Sequence, residues 1–241
     1  VHITVKCPQC GSDHIIKHGK DPKGVQKYRC KGCGYQFRLH PKSREHPPAL
    51  VEQVLRAHQN RMSLRAIYRT FGVAPKTVIE WIKKKPELAE VESTLLARQC
   101  NDVLELDEVW SFWGDKRSGQ LWLWVALCRR TRQVVGFSLG DRSDQTCRQL
   151  YHNIAQPYRN CATVSDFWES YDKVFPHNSA SGKQSGQTAH IERWNNTLRQ
   201  SLSRYVRKTL SFSKSLVMHF RVLCLFIWEY NSNIKIRHVN T

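Results

Sequence analysis

The stretch Val103-Leu-Glu-Leu-Asp-Glu-Val-Trp110 decides the fold class of the C-terminal part of this 241-residue chain. Its alternation of apolar and polar side chains predicts a β-strand. Two apolar runs, residues 121–127 and 133–139, follow across connections of hairpin length and predict two further strands. The three strands are therefore expected to be antiparallel neighbours in one sheet. Residues 86–101, which precede them, are expected to be a helical connector.

Helices and shorter strands are predicted after these three strands. In order, they are a helix from Ser143 to about Tyr151, a strand over residues 161–165, a short strand at Val174-Phe175, and two helices, one capped by Thr188 and one over residues 213–230. Periodicity alone indicates a mixed α/β domain. The order of the elements, however, is that of the ribonuclease H-like fold.

Two cysteine pairs near the N-terminus have the spacing of a zinc ribbon. They are Cys7-Pro-Gln-Cys10-Gly11 and Cys30-Lys-Gly-Cys33-Gly34. A gap of two residues lets both thiolates of a pair point at one ion, and two such turns complete a tetrahedral site for one structural Zn²⁺. Residues 1–40 are therefore predicted to be a zinc ribbon. The alternatives are a pair of redox-active dithiols and, in a secreted domain, disulfide bonds.

Residues 41–90 are predicted to contain a helix-turn-helix. Prolines indicate a linker over residues 41–48. Apolar spacing then predicts three helices, the second capped by Ser63 and the third beginning at Pro75, after the turn Gly72-Val73. The third helix would present five side chains to a DNA major groove, those of Lys76, Thr77, Glu80, Lys83 and Lys84. The alternative is a three-helix packing unit without a DNA-binding role.

The charge of the chain indicates a polyanionic partner. Lys and Arg number 38 against 20 Asp and Glu, which gives a net charge of +18. Residues 1–90 carry +11 and residues 191–241 carry +7, whereas residues 91–190 are neutral. This distribution is typical of an enzyme that binds nucleic acid through its ends and carries out metal chemistry between them.

The cysteines and the apolar segments predict a cytoplasmic location. The nine cysteines include five that are scattered singly, and no signal peptide is recognisable at the N-terminus. The apolar run over residues 223–228 is far too short to cross a bilayer. A reducing, intracellular compartment with free thiols is therefore expected.

Asp107, Asp166 and Glu192 are the candidate catalytic residues. Asp107 lies in mid-strand, Asp166 ends the fourth strand, and Glu192 lies near the start of a helix, whereas Glu169 and Asp172 are expected to be solvated helix residues. Three converging carboxylates would repel one another and raise one another's pKa values. Two Mg²⁺ or Mn²⁺ ions, which bind oxygen ligands, would resolve this conflict and could activate a water or a 3′-hydroxyl against a phosphodiester.

Neighbouring residues compete with these three or assist them. The period of two places Glu105 on the strand face of Asp107 and makes it the rival metal ligand, whereas Glu108 points to the opposite face. Helical spacing places three side chains on the face of Glu192, where they could hold nucleic acid or orient metal ligands, namely Asn195, Asn196 and Arg199.

Four stretches resemble the transposases of the IS1 family of insertion sequences. They are Leu106-Asp107-Glu108-Val-Trp110, Ser165-Asp166-Phe-Trp-Glu-Ser-Tyr171, His190-Ile-Glu192-Arg-Trp-Asn-Asn-Thr-Leu-Arg199-Gln and Arg207-Lys-Thr-Leu-Ser-Phe-Ser-Lys-Ser215. The resemblance implies an Asp-Asp-Glu triad at Asp107, Asp166 and Glu192, and an N-terminal part that recognises terminal inverted repeats. It also implies a full-length fused form. Many relatives have glycine where this chain has Phe167.

Basic residues after Glu192 are predicted to contact the DNA backbone. Seven basic residues and no acidic one lie between Arg193 and Arg221, and the candidates among them are Arg204, Arg207, Lys208 and Lys214. Arg193 could contact a phosphate and His190 could assist near the active site, although both could equally be polar residues of a helix surface. Trp168 or Trp194 could stack on a flipped base; the alternative for both is a place in the core.

The sequence as a whole predicts a DNA transposase whose catalytic domain is residues 91–241. Its partners would be double-stranded DNA, as transposon ends and as target, and further copies of itself in a synaptic homo-oligomer. One alternative is a transcription regulator with a zinc ribbon and a helix-turn-helix. The other is a ribonuclease H-like nuclease that acts without strand transfer.

Overall fold

The computed structural model describes most of the chain, namely residues 5–39, 45–84, 88–115, 119–182, 185–206 and 208–239. The chain forms two compact units, residues 1–50 and 51–241. Residues 41–44 of the expected linker and residues 86–87 of the expected connector lie outside the described residues. Within the described ranges, none of the helices has the length and apolar character needed to span a membrane.

The N-terminal unit contains a small antiparallel sheet. Its strands are β1 (Ile15–Lys20), β2 (Gln26–Cys30) and β3 (Gln36–Phe37), in that order. A turn holds each cysteine pair, closed by a hydrogen bond from Gly11 N to Cys7 O (2.9 Å) and from Gly34 N to Cys30 O (3.0 Å). Both glycines have positive φ, 72° and 75°, which only glycine adopts without strain. The expected turns and the glycine requirement are confirmed.

Three helices and a short fourth one precede the main sheet. They are α1 (Pro48–Gln59), α2 (Leu64–Phe71), α3 (Pro75–Lys83) and α4 (Leu88–Glu92). Ser63 Oγ accepts a hydrogen bond from Ala66 N (3.1 Å) and so caps α2, which ends at Gly72 with φ 69°. Pro75 occupies the first position of α3, as expected.

The main sheet has five strands in the order β6-β5-β4-β7-β8. The strands are β4 (Val103–Phe112), β5 (Gln120–Cys128), β6 (Val134–Gly140), β7 (Ala162–Ser165) and β8 (Asn178–Ala180). β4, β5 and β6 are antiparallel neighbours, which confirms the prediction for the first three strands. β4 pairs with β7 in parallel, and β7 pairs with β8 in parallel.

Helices cover both faces of this sheet. They are α5 (Asp144–Asn153), α6 (Glu169–Val174), α7 (Ala189–Ser201) and α8 (Leu216–Val239). Leu104 and Leu106 of β4 share a buried cluster with Leu150 of α5, whereas Glu105 and Asp107 bind residues of α7. Since successive strand residues point to opposite faces, α5 and α7 lie on opposite sides of the sheet.

The prediction of a strand at Val174-Phe175 is wrong. Val174 ends α6, and Phe175 N continues its hydrogen bonding to Tyr171 O (2.8 Å). The Phe175 ring is buried and meets Tyr151 edge-on at 5.4 Å between centroids. Packing in the core therefore overrides the strand propensity of these two residues, and the strand beside β7 begins at Asn178.

The connector before β4 is less helical than expected. Its only helix within the described residues is α4, and residues 93–99 continue without regular structure. The buried side chain of Gln133 forms hydrogen bonds with the backbone of this segment. Its Nε2 donates to Thr94 O (2.9 Å), and its Oε1 accepts from Leu96 N (2.9 Å). Because the side-chain amide of Gln133 is buried, its N–H and its oxygen both need partners, and these backbone groups supply them in place of a further helical turn. The last helix, α8, begins three residues later than expected and extends further.

A buried histidine connects α8 with the segment before it. His219 is fully buried, with its Nε2 2.8 Å from Tyr205 Oη and its Nδ1 3.1 Å from Ser213 Oγ. Burial, aided by the charge of Arg204, lowers the pKa of His219 to about 3. The imidazole is therefore neutral in the folded protein at neutral pH.

We predict that this histidine makes the protein acid-sensitive. An unfolded histidine titrates near pH 6.5, so from there down to about pH 3 the unfolded state binds the extra proton. The free energy of unfolding should therefore decrease as the pH is lowered, by about 1.4 kcal/mol per pH unit for this residue. His219→Gln should flatten the dependence between pH 6.5 and 4.5, measured by urea unfolding. The exposed His152→Gln is the control, and equal slopes for the two variants would contradict the prediction.

Candidate active site

An acidic cavity lies beside β4, where its neighbour β7 ends. The last pair between the two strands is Glu105 with Val164, and β4 continues to Phe112 without this neighbour. The cavity has a volume of about 300 Å³. Its lining comes from β4, from the residue after β7 and from α7, namely Leu106, Asp107, Glu108, Asp166, Thr188, Glu192, Asn195, Asn196 and Arg199.

The three carboxylates predicted from the sequence all line this cavity. Side-chain oxygens of Asp107, Glu108 and Asp166 lie within 4.8 Å of one another, a separation that one cation could bridge. Glu192 lies outside that group and faces the cavity from the first turn of α7. Three separate elements therefore bring Asp107, Asp166 and Glu192 together, whereas the exposed Glu169 and Asp172 do not line the cavity.

Asp107 is the electrostatic centre of the cavity. Its Oδ2 accepts a hydrogen bond from Asn195 Nδ2 (2.6 Å) and its Oδ1 accepts one from Glu108 N (2.9 Å). Burial raises its pKa to about 7, and the negative charges of Glu108, Asp166 and Glu192 act in the same direction. A positive ion among these carboxylates would remove the cost of ionising Asp107.

The donor set fits a hard divalent cation. Carboxylate oxygens are the ligands that Mg²⁺ and Mn²⁺ prefer. Asn195 is 3 % exposed, and its Oδ1 has no hydrogen-bond partner among the described residues. A buried oxygen normally has a donor or a cation as its partner, and Asn195 is one of the residues that line the cavity.

Glu108 belongs to the cavity, although the strand period predicts the opposite face. Its side chain is 3 % exposed. Its Oε2 accepts a hydrogen bond from Tyr171 Oη (2.9 Å), and its Oε1 accepts one from Arg142 Nε (2.8 Å), on the side of the sheet that α6 covers. The opposite-face prediction is therefore correct for these contacts. Because β7 pairs with β4 only as far as Glu105, that side of β4 is open beside Glu108, and its carboxylate still approaches those of Asp107 and Asp166.

A cation–π stack, absent from the sequence prediction, supports the second aspartate. The guanidinium carbon of Arg142 lies 3.8 Å from the ring centroid of Trp168 and 4.8 Å from that of Trp122. Trp168 N donates to Asp166 Oδ1 (3.1 Å). The Trp168 ring is therefore in contact with Arg142, which favours the alternative of a place within the fold. The signal that could have found this stack is Arg142 after the third strand, but its partners are distant in sequence.

Glu192 is held by the residue at the start of its helix. Thr188 occupies the N-cap position of α7, but its hydroxyl donates to Glu192 Oε1 (3.1 Å) instead of bonding the helix backbone. Trp194, two residues later, is 2 % exposed and packs against Phe226 and Tyr230 of α8. Trp194 is therefore a core residue, which was the alternative to base stacking.

The rival ligand Glu105 points away from the cavity. Its side chain is fully buried and does not line the cavity. Both of its oxygens are occupied: Oε1 lies 2.9 Å from Arg129 Nε and 2.7 Å from His190 Nδ1, and Oε2 accepts the N–H groups of His190 and Ile191 (3.0 Å each). Its hydrogen-bonding capacity is therefore used within the fold, and Asp107 is the cavity carboxylate of this strand face.

The basic candidates after Glu192 differ in their surroundings. Asn196 and Arg199 line the cavity, whereas Arg193, Lys208 and Lys214 are exposed away from it. Arg204 is half-buried, and its Nη1 donates to Ser213 Oγ (2.8 Å). Arg207 lies outside the described residues. On α3, Lys76, Lys83 and Lys84 are exposed, Thr77 is half-buried, and Glu80 pairs with Lys83 at 3.0 Å.

The four predicted zinc ligands of the N-terminal unit come together. Sulfur atoms of Cys7, Cys10, Cys30 and Cys33 all lie within 4.8 Å of one another, with 3.6 Å between Cys7 and Cys33 and between Cys10 and Cys30. Hydrogen bonds from the backbone at Cys33 and Gly32 lower the pKa of Cys30 to about 6, which favours the thiolate. This set of four sulfurs fits a tetrahedral Zn²⁺ site.

Two families of known proteins match this chain. Residues 101–232 match the family described as IS1 transposase, a DDE transposase domain, and residues 2–34 match the InsA N-terminal domain, a zinc ribbon. The chain belongs to the IS1 transposase family of insertion sequences. The DDE domain implies the use of divalent metal, the ribbon implies zinc, and a transposase with such a ribbon binds DNA.

Several InsB proteins are similar to about half of this chain. The insertion element iso-IS1n protein InsB of Shigella dysenteriae is 40 % identical over 129 residues, which is 53 % of this chain and 95 % of that protein. InsB of insertion element IS1 from Shigella flexneri is 36 % identical over 123 residues, 49 % of this chain and 88 % of that protein. InsB of IS1 4 from Escherichia coli strain K12 is also 36 % identical over 123 residues, covering 70 % of its length.

We predict that Asp107→Asn stabilises the metal-free protein. The pKa of Asp107 is raised from 3.8 to about 7, so the folded state holds this proton more tightly and loses stability as pH rises from 4 to 7. Above pH 7 the folded state bears the full cost of the ionised Asp107. The neutral side chain of Asp107→Asn should avoid this cost and raise the free energy of unfolding by about 1–2 kcal/mol at pH 8. The measurement is urea unfolding in EDTA. Asp102→Asn is the control and should destabilise, because Arg130 lowers the pKa of Asp102. A loss of stability in Asp107→Asn would contradict the prediction.

We predict one zinc ion per chain, bound by the four cysteines. Metal analysis of the purified protein should give a ratio of one, and Cys30→Ser should lose the ion. Because the binding energy of a small zinc site is folding energy, the variant should also lose the sheet of the N-terminal unit, which limited proteolysis would detect. Cys100→Ser changes an exposed cysteine outside the cluster and should keep the zinc. Retention of zinc in Cys30→Ser would refute the assignment.

Proposed function

We propose that Asp107, Asp166 and Glu192 are the catalytic triad of this transposase and hold two Mg²⁺ or Mn²⁺ ions. The observation that carries the proposal is the convergence of the three carboxylates, from three elements of the fold, on one cavity of about 300 Å³. When bound, such ions supply an activated water or 3′-hydroxyl and stabilise the leaving oxygen of a phosphodiester. The reactions are hydrolysis at the 3′ ends of the element and joining of those ends to target DNA.

The protein's own groups orient this triad. Asn195 holds Asp107, Trp168 N holds Asp166, and Thr188 holds Glu192. Each carboxylate therefore has a fixed direction before DNA arrives, which lowers the cost of assembling the site. Asn196 and Arg199, which line the cavity, are suited to contact the phosphates on either side of the scissile bond.

We also propose that residues 91–241 have a ribonuclease H-like fold. The order of the sheet supports this assignment: three antiparallel strands are joined through the first of them to two parallel strands, with helices on both faces. We assign residues 1–40 to the zinc ribbon with its single Zn²⁺ and residues 41–90 to a helix-turn-helix region. The turn at Gly72 and the cap at Ser63 support the second assignment.

DNA binding is proposed to involve several surfaces. On α3, Lys76, Thr77, Lys83 and Lys84 would read the terminal inverted repeats. In the C-terminal part, Arg193, Arg207, Lys208 and Lys214 would contact the phosphate backbone of transposon ends and target, whereas Arg204 would hold the segment between α7 and α8. Synapsis of two ends implies a homo-oligomer, acting at the nucleoid of a prokaryotic cell.

The test uses purified protein, labelled transposon ends and Mg²⁺. Asp166→Asn and Glu192→Gln should each lower 3′-end cleavage more than about 100-fold, since each removes a metal ligand, while binding of the ends stays near the wild-type value. Glu169→Gln and Asp172→Asn are the matched controls and should cleave normally.

The same assay separates the alternatives. Joining of ends to target DNA supports the transposase reaction, cleavage without joining supports a nuclease, and binding without cleavage supports a regulator. Wild-type cleavage by Glu192→Gln would refute its place in the triad.

A further inference from the structure

The buried Glu105 forms the connection between β4 and the start of α7. It lies two residues before Asp107, on the same face of β4, and its side chain is fully buried. Its Oε2 accepts the backbone N–H groups of His190 and Ile191, both at 3.0 Å. These N–H groups belong to the first turn of α7, where no helical carbonyl is available to them. The residue that follows them is Glu192.

Each carboxylate oxygen of Glu105 has donors in this position. Oε1 lies 2.9 Å from Arg129 Nε and 2.7 Å from His190 Nδ1, and Oε2 accepts the two backbone N–H groups of α7. A negative charge at a helix N-terminus is also stabilised by the helix dipole. The bond network is therefore charge-assisted on both oxygens, and such bonds are about twice as strong as neutral ones.

Arg129 extends the connection to the segment that leads into α7. Its Nε lies 2.9 Å from Glu105 Oε1, and its Nη2 donates to Gln187 O (2.7 Å) and to Gln187 Oε1 (3.1 Å). The ion pair of the fully buried Glu105 with the partly exposed Arg129 thus contacts both the first turn of the helix and the residue before its N-cap. Arg129 lies directly after β5, in the connection to β6. Its contacts therefore fix the direction in which the chain enters α7.

A second connection between the same two elements lies one turn further along α7. Asn195 Nδ2 donates to Asp107 Oδ2 at 2.6 Å. Glu192 lies between the two connections, after the backbone bonds of residues 190 and 191 and before Asn195. β4 carries both Glu105 and Asp107. The two connections therefore fix how α7 is placed and rotated against β4, and with it the position of Glu192 relative to Asp107.

We propose that Glu105 is a positioning residue for the transposase reaction: it sets Glu192 at its distance from Asp107 through the N-terminus of α7. The proposal rests on the proposed function, because it gives Glu192 a role in the triad. It also explains why an acidic residue occupies a fully buried position two residues from the cavity and does not line it. The substitution that tests it is Glu105→Gln, which keeps the shape and removes the charge.

The matched control is Asp102→Asn. Asp102 is also buried and immediately precedes β4, and it binds Arg130 through Nε (2.6 Å) and Nη2 (2.9 Å), but its partners do not include α7. Both substitutions remove one buried carboxylate from an arginine pair. A role in stability alone therefore predicts similar behaviour, whereas a positioning role predicts that Glu105→Gln alone impairs the triad.

The experiment compares the two full-length variants at temperatures where both are folded. Glu105→Gln should lower the maximal rate of 3′-end cleavage about 10–100-fold, as misplaced catalytic groups do, while binding of the labelled ends remains at the wild-type level. Binding of Mn²⁺ alone, measured by electron paramagnetic resonance without DNA, should weaken about 10-fold. Asp102→Asn should lose stability yet keep the wild-type rate and the wild-type affinity for Mn²⁺.

Arg129→Lys gives a second test if Glu105→Gln does not fold. Lysine keeps the charge beside Glu105 but cannot reach Gln187 at the same time, so cleavage should fall while the melting temperature changes little. A folded Glu105→Gln with the wild-type rate and Mn²⁺ affinity overturns the positioning role, and so does Asp102→Asn with an equal catalytic loss. Full cleavage by Glu192→Gln would instead overturn the proposed function, whatever Glu105→Gln does.

Discussion

Repulsion between carboxylates that share one cavity is the constraint on which the rest of this site depends. Asp107, Glu108 and Asp166 bring their oxygens within 4.8 Å of one another, and burial adds to the cost of ionising Asp107. The fold meets this cost with separate donors, namely Asn195 for Asp107, Arg142 and Tyr171 for Glu108, and Trp168 N for Asp166. The charge that these donors leave uncompensated lowers the stability of the metal-free protein and favours a cation in the cavity, as the proposed function requires.

One strand uses three acidic residues in three different ways. The carboxylate of Glu105 accepts hydrogen bonds from α7 and Arg129. Asp107 faces the cavity, and Glu108 binds Arg142, which stacks on Trp168. Their chemistry is nearly identical, and their environments assign the roles. The decisive difference is where β7 ends: beside Glu105 the neighbouring strand is present, whereas beyond it the edge of β4 is open. A carboxylate next to the open edge can bind ligands, and one beneath a helix N-terminus serves the backbone.

The choice of Asp107, Asp166 and Glu192 needed the resemblance to a known family as well as spacing. Local patterns in the sequence were sufficient for the three antiparallel strands, the cysteine turns and the cap of α2. Alternation and spacing report on immediate neighbours, and these features depend on such neighbours. The fate of Glu105 depends instead on His190 and Arg129, which lie 85 and 24 residues away. The stack of Arg142 on Trp122 and Trp168, and the loss of the expected strand at Phe175, have the same origin in tertiary packing. The period of two gave the correct face for Glu108 but could not show that the pairing of β4 with β7 ends before it.

The two elements that carry Asp107 and Glu192 differ in their resistance to local opening. β4 is the central strand and pairs with β5 along its length from Leu104 to Phe112, so the amides that it bonds to β5 become exposed to solvent only when the sheet itself opens. The first turn of α7 depends on a few side-chain bonds, and Thr188, its N-cap residue, gives no cap of its own to the backbone. Fluctuations of the native state would therefore separate Glu192 from Asp107 long before they disturb Asp107, and hydrogen exchange along the chain would record that order.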